Sequence, residues 1–224
     1  MNFIELRPGK SHEGDDIKAF RTEGKSQKWN YLMAGTHGDE VEGVYVVQKL
    51  FEWLKEEDIL DFPLIVIPIL NVDGYRAGTR VNANGVDLNR NYNATNWSPE
   101  AREAKYNPGA SALSEPENKY LVKLFEKFPP KQILTFHSWK PFINYNGDCK
   151  EIAELLERYN GYEVCIEIEG HPTPGSLGSL VPEKYNSPVL TFECPVLSDE
   201  LTLNQIWEEN RVGLETLMKS DLIN

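Results

Sequence analysis

Blocks of apolar positions, each with its own period, divide this chain into elements. Trp29 to Gly35 is a short, mostly apolar run that reads as a buried strand. Val41, Val44, Val47, Leu50, Phe51 and Leu54 then recur at helical spacing, which predicts a helix from about residue 40 to about residue 56. Pro63 to Leu70 is apolar on both faces, as in a parallel strand covered by helices. Tyr120, Leu121, Leu124 and Phe125 predict a helix that begins with a Ser114/Glu117 capping box and stops at Pro129-Pro130. Lys131 to Phe136 reads as a strand, Cys149 to Tyr159 as a helix, Tyr162 to Ile168 and Pro188 to Phe192 as strands. A last helix buries Leu203, Ile206, Trp207, Leu214 and Leu217, with Ser198 as its expected cap.

Between these blocks lie polar stretches. Gly9-Lys10-Ser11 reads as a turn between short strands, and His12 sits among charges as a surface residue. Asn71 to Tyr92 reads as a long functional loop, Asn93 to Leu113 as a surface excursion at the rim of the site, and His171 to Leu180 as a Gly/Pro/Ser loop. Strands alternating with helices predict an α/β fold. The expectation is a mixed, largely parallel sheet between helices, one domain over residues 1–224, with ligands gathered at the carboxyl ends of the strands.

Charge narrows the partners. A formal net charge of −12 argues against nucleic acid and against an anionic membrane surface, both of which want lysine and arginine in excess. No run of about eighteen apolar residues predicts a transmembrane helix. Cys149, Cys165 and Cys194 form no Cys-x-x-Cys pair and read as reduced thiols. Met1 to Lys10 lacks a signal-peptide pattern, so a cytoplasmic location is expected.

The candidate chemistry sits where predicted strands end. His37 and Glu40 stand three residues apart at a strand-to-helix turn, where one helical turn brings both to one side and within reach of one metal ion. Such a pair taken alone can equally place a carboxylate at a helix N-terminus. His137 follows an apolar strand and is the natural third ligand. Glu193 also follows an apolar strand, where a carboxylate is costly unless paired, hydrated or functional. Arg76, Arg80 and Arg90 among asparagines suggest an anionic ligand, because a guanidinium grips a carboxylate through two parallel hydrogen bonds.

The string Arg80-Val81-Asn82-Ala83-Asn84-Gly85-Val86-Asp87-Leu88-Asn89-Arg90-Asn91 resembles the substrate-binding signature of the zinc carboxypeptidase family. The resemblance implies one zinc ion on His37, Glu40 and His137, two histidines and a glutamate being the ligand set known from carboxypeptidase A. It further implies Arg80 polarising the scissile carbonyl, Asn89 and Arg90 holding the substrate carboxylate, and Glu193, in Thr191-Phe192-Glu193, as general base. Thr36-His37-Gly38-Asp39-Glu40, Asn96-Trp97, Ser114-Glu115-Pro116-Glu117 and Thr173-Pro174-Gly175-Ser176 extend the likeness to the bacterial murein peptide amidases of that family. They imply a small peptide substrate, a murein tripeptide cut between γ-D-glutamate and meso-diaminopimelate. The chain departs from the family in two places. Asn71-Val72-Asp73-Gly74 lacks the family's proline, and no tyrosine lies between Glu163 and Lys184 where digestive carboxypeptidases carry a mobile one. His171 is the candidate substitute there, the alternative being an ordinary loop histidine, and Glu183 and Lys184 are candidates for the far end of the substrate. Competing expectations are a carboxypeptidase on other peptides, a deacylase of the aspartoacylase and succinylglutamate desuccinylase type, and a non-catalytic binding module.

Overall fold

A computed structural model describes residues 1–57, 61–166 and 170–223. The strands are β1 (Phe3–Glu5), β2 (Gly9–Lys10), β3 (Asp16–Ile17), β4 (Phe20–Thr22), β5 (Trp29–Ala34), β6 (Leu64–Ile67), β7 (Pro130–Trp139), β8 (Phe142–Asn146), β9 (Glu163–Cys165) and β10 (Val189–Pro195). The helices are α1 (Val41–Glu56), α2 (Val72–Ala77), α3 (Pro116–Lys127), α4 (Lys150–Asn160), α5 (Leu177–Tyr185) and α6 (Leu203–Met218). Eight strands form one sheet in the order β1-β4-β6-β5-β7-β10-β8-β9. Its centre, β6-β5-β7-β10, is parallel, and antiparallel pairs flank it. The expected mixed, largely parallel sheet between helices is what the chain adopts.

Side chains alternate across the sheet. Leu32, Ala34, Leu134, Phe136, Leu190 and Phe192 face a core shared with α1, α4 and α6. Tyr31, Met33, Ile65, Ile67, Ile133 and Val189 face the core of α3 and α5. The same alternation puts Thr135, His137, Thr191 and Glu193 on the second face.

Several elements differ from the sequence expectation. Gly9 and Lys10 are a strand, paired with Asp16–Ile17, and the turn falls after them. Ser114 does not cap α3. The cap is Glu115 with Pro116 in the first turn; the Ser114 hydroxyl donates to Glu115, and Glu117 accepts from the His12 amide and Asn82. Ser198 does not cap α6 either, because Thr202 and Gln205 form a complete capping box there. β8, α2 and α5 went unforeseen. α2 is six residues capped by Asn71 and ended by left-handed Gly78, too short to show a period. α5 begins inside the expected loop, its N-terminus capped by Ser176. The strand expected to reach Ile168 is seen from Glu163 to Cys165, and Ile168 lies outside the described residues. Among the described residues no helix is long and apolar enough to cross a membrane.

Candidate metal centre and active-site cleft

The turn after β5 carries His37, and its path is fixed by close backbone contact. A side chain on Gly38 would overlap the Gly74 carbonyl carbon, so α2 can lie against this turn only if residue 38 is glycine. Glu40 precedes α1 directly. His137 arrives from β7, and is buried.

The three side chains converge. One ligand atom from each lies within 4.8 Å of the others. His37 Nδ1 and His137 Nδ1 are 3.2 Å apart, and Glu40 places its oxygens 2.7 Å from the first and 2.8 Å from the second. Two nitrogens on a tetrahedral zinc, each about 2.1 Å from the ion, stand about 3.4 Å apart, so the cluster has the right size for one ion. The outward nitrogens are held as well: His37 Nε2 is 3.1 Å from Asp87 Oδ1, and His137 Nε2 is 3.3 Å from the Thr135 hydroxyl. Fixing the far side of each ring turns both inner nitrogens toward a common centre.

The charge balance of the cluster points the same way. Burial lowers the His37 pKa, but the Glu40 and Asp87 carboxylates outweigh it and lift it to about 9. Glu40 is pushed up by burial and more strongly down by both histidines, ending well below the usual carboxylate range. Burial leaves His137 below its ordinary value. The Glu40 and Asp87 carboxylates therefore favour positive charge at His37, at the point where a cation fits.

Asp87 is the hub of the arginine loop and is fully buried. It caps a short 3₁₀ turn, Leu88–Arg90, by accepting from the Asn89 amide at 2.9 Å. Its Oδ2 takes Arg80 Nη2 at 2.9 Å and Nε at 3.1 Å. Arg80 also reaches Glu40 at 3.4 Å, so one guanidinium borders the metal cluster. Asn82 and Asn84 clamp the loop to the Glu115 carboxylate, and Asn91 ties it to Pro108, Ser111 and Ser114. Asn89 spends its carbonyl on the Leu177 amide at the start of α5, which leaves its NH₂ group for other partners. Gly175, at φ +65°, lets α5's leading loop close on Arg90; a Cβ there would meet the Arg90 carbonyl oxygen at 2.5 Å.

Glu193 sits one strand over from His137. Burial first, then the Glu40 charge, raises its pKa to about 8, against the opposing pull of His37 and Arg80. Its Oε2 is buried without a hydrogen-bond partner among the described residues.

His37, Glu40, His137, Arg80, Asn89, Arg90, Glu193 and His171 all line one cleft of about 470 Å³. His171 packs against Trp139, ring centres 5.0 Å apart, and its Nδ1 is 3.2 Å from Arg102. Glu183 and Lys184 do not line the cleft. Glu183 accepts from Thr95, and Lys184 lies over the Tyr185 ring. Asp87 lies inside the arginine string, yet nothing in the sequence assigns it a separate role. Arg102, Lys105 and Tyr106, in the excursion expected at the rim of the site, also line the cleft, as does Trp139, though no sequence signal singles out any of the four.

The sequence profile of the zinc carboxypeptidase family matches residues 4–177, and the chain belongs to that family of metallohydrolases. Murein peptide amidase A of Escherichia coli is 30% identical over 209 residues, 86% of this chain and 84% of that protein. Its counterpart in Vibrio campbellii is 29% identical over 208 residues, 88% and 82% of the two chains. The solved murein-tripeptide amidase of Escherichia coli superposes with a TM-score of 0.79 at 27% identity, covering 98% of this chain and 92% of that one. A shorter stretch of 62 residues is 39% identical to N-alpha-acetyl-L-2,4-diaminobutyric acid deacetylase of Halomonas elongata, covering 27% of this chain and 18% of that protein.

Proposed function

We propose that the chain, as one catalytic domain, is a zinc-dependent amidase that cuts the γ-D-glutamyl–meso-diaminopimelate bond of murein tripeptides in wall-peptide turnover. The observation that carries the reading is the meeting, in one cleft, of the His37–Glu40–His137 cluster, Arg90, and a Glu193 whose Oε2 is buried without a hydrogen-bond partner among the described residues. Two relatives of nearly matching length are named for murein peptides, which supports this choice of substrate.

His37, Glu40 and His137 would hold the ion. When bound, zinc supplies Lewis acidity, polarising the scissile carbonyl and lowering the pKa of water toward neutrality. Glu193 accepts the proton of the attacking water and returns it to the leaving amine of diaminopimelate. Its buried position beside the Glu40 charge makes it hold a proton more firmly than an exposed carboxylate, as a group that must carry the proton to the leaving amine requires. Arg80, already oriented by Asp87, donates to the oxyanion as it develops. Asn89 and Arg90 align the substrate through the carboxylate adjoining the cut, so that binding energy goes into orientation. No acyl-enzyme is needed. A cytoplasmic location fits a substrate recovered from the wall as a small peptide.

N-acyl amino acid deacylation is a second reading, favoured by the local likeness to the diaminobutyric acid deacetylase. Three substrates separate the alternatives: L-alanyl-γ-D-glutamyl-meso-diaminopimelate, an ordinary C-terminal peptide, and an Nα-acetyl diamino acid, each followed by mass detection of products. The amidase reading predicts free diaminopimelate from the first, at a rate far above the other two. Preferential release of acetate would replace it with the deacylase reading.

A further inference from the structure

One group of side chains at the cleft mouth takes no part in the chemistry assigned to Glu193, Arg80, Asn89 and Arg90. The excursion that precedes α3 delivers Arg102, Lys105 and Tyr106 to the cleft mouth. The Arg102 guanidinium carbon lies 4.5 Å from the centre of the Tyr106 ring, and those of Arg80 and Arg90 lie 5.3 Å from it. The Lys105 ammonium lies 5.0 Å from the same ring. Four cations thus share one aromatic shelf in a chain whose net charge is −12. The ring face attracts each of them, but the cations repel one another, and the arrangement favours an anion placed among them.

These cations differ in what already occupies them. Arg80 is engaged by Asp87, and Lys105 has Glu103 at 3.2 Å. Arg102 donates Nη1 to the Gly170 carbonyl at 2.8 Å and sets Nη2 3.2 Å from His171 Nδ1. The Tyr106 hydroxyl is a third partner, and a guanidinium's five donors still leave capacity for an anion. The Gly170 and His171 contacts come from the loop that leads into α5 and fix the plane of the fork.

We propose that Arg102, on the Tyr106 shelf, binds a second substrate carboxylate, distinct from the one held by Asn89 and Arg90, and so selects peptides with an acidic group within one residue of the scissile amide. This rests on the cleft being the hydrolytic site and deepens the substrate reading. A γ-linked glutamate keeps its α-carboxylate free on one side of the cut, and diaminopimelate carries a distal carboxylate on the other. An ordinary peptide bond between neutral residues offers neither. His171 then acts as a positioning residue for Arg102.

The test compares wild type, Arg102→Ala and Arg102→Lys on four tripeptides: the parent, its glutamate α-amide, its L-lysine analogue lacking the distal carboxylate, and the analogue with both changes. Wild type is expected to lose at least tenfold in kcat/KM when the recognised carboxylate is removed, and the single changes show which one it is. Arg102→Ala should lose at least tenfold on the parent, mainly through KM, and be indifferent to removal of that same carboxylate. Arg102→Lys should fall between. An equal loss on all four peptides, or no loss, overturns the assignment. The wild-type parent reaction alone tests the murein reading. If it fails, the same variants are compared on C-terminal peptides with Glu or Gln on either side of the cut, and the lack of an Arg102-dependent preference for Glu overturns the inference. Equilibrium binding of these peptides to Glu193→Gln, with and without Arg102→Ala, gives the same comparison where turnover is absent.

Discussion

Glu193 and His137 are direct register partners on the adjacent parallel strands β10 and β7, with their side chains on one face of the sheet. Both strands run past these residues, to Pro195 and Trp139, so both side chains are held within the sheet and not on its fringe. Glu193→Gln keeps the shape and removes the proton acceptor. It is expected to bind one zinc per chain and to lose kcat by about 10²–10⁴-fold. Steady-state kinetics with metal analysis checks this, and a variant that keeps most of the wild-type turnover would move the base elsewhere.

Asp87 does not line the cleft, yet it contacts both His37 and Arg80. Asp87→Asn should weaken zinc binding by about 10–100-fold, the usual effect of losing a carboxylate behind a ligating histidine. Competition with a chromophoric chelator measures it. Wild-type affinity in the variant would mean that the Asp87 contact does not orient the ring.

Arg80 and Arg90 should separate kinetically. Arg80→Ala is expected to lower kcat by about 10²–10³-fold with little change in KM, as for loss of an oxyanion donor. Arg90→Ala should raise KM by about 10–100-fold, the worth of a charge-assisted carboxylate contact. Blocking the substrate carboxylate as an amide should abolish the difference between Arg90→Ala and wild type. A persisting difference would remove Arg90 from the carboxylate clamp.

The metal-free protein should have a distinctive pH dependence. His37 rises from 6.5 to about 9 on folding, so its contribution is full below 6.5 and is lost as pH climbs through about 9. Glu193 rises from 4.5 to about 8, so the folded state also holds its proton more tightly, and that contribution is lost as pH climbs through about 8. Glu40 and Asp87 are depressed and act oppositely, contributing above their ordinary values and losing that contribution only in acid. Chelator-treated protein should therefore lose about 5 °C or more in Tm between about pH 6.5 and pH 9. Zinc-loaded protein should lose much less, because the ion replaces the proton. Parallel curves for the two forms would contradict this picture of the cluster.

Most of the framework was legible because its signals are local. β5, α1 and β6 announce themselves by apolar runs and helical period, and His37 and Glu40 lie where the first of these gives way to the second. The arginine string was legible through resemblance, since spacing alone says nothing of what Asn89 or Arg90 would hold. What sequence did not disclose depends on distant partners. Ser114 looks like a cap until Glu117 is seen to be claimed by His12 and Asn82. Arg102 and Tyr106 lie in a stretch without period, and only the fold brings them beside Arg80 and His171. His137 and Glu193 were expected at strand ends and lie within longer strands, because the pairing of β10 with β7 runs on past the apolar pattern, through Cys194–Ser138 to Pro195–Trp139.

Zinc-dependent hydrolysis of the murein tripeptide is tested most simply by titrating zinc into chelator-stripped protein, with turnover of L-alanyl-γ-D-glutamyl-meso-diaminopimelate as the readout. Activity should be absent without metal, rise linearly, and level off at one equivalent as free diaminopimelate appears. Turnover in the stripped protein, or no diaminopimelate with one equivalent of zinc bound, would contradict this assignment.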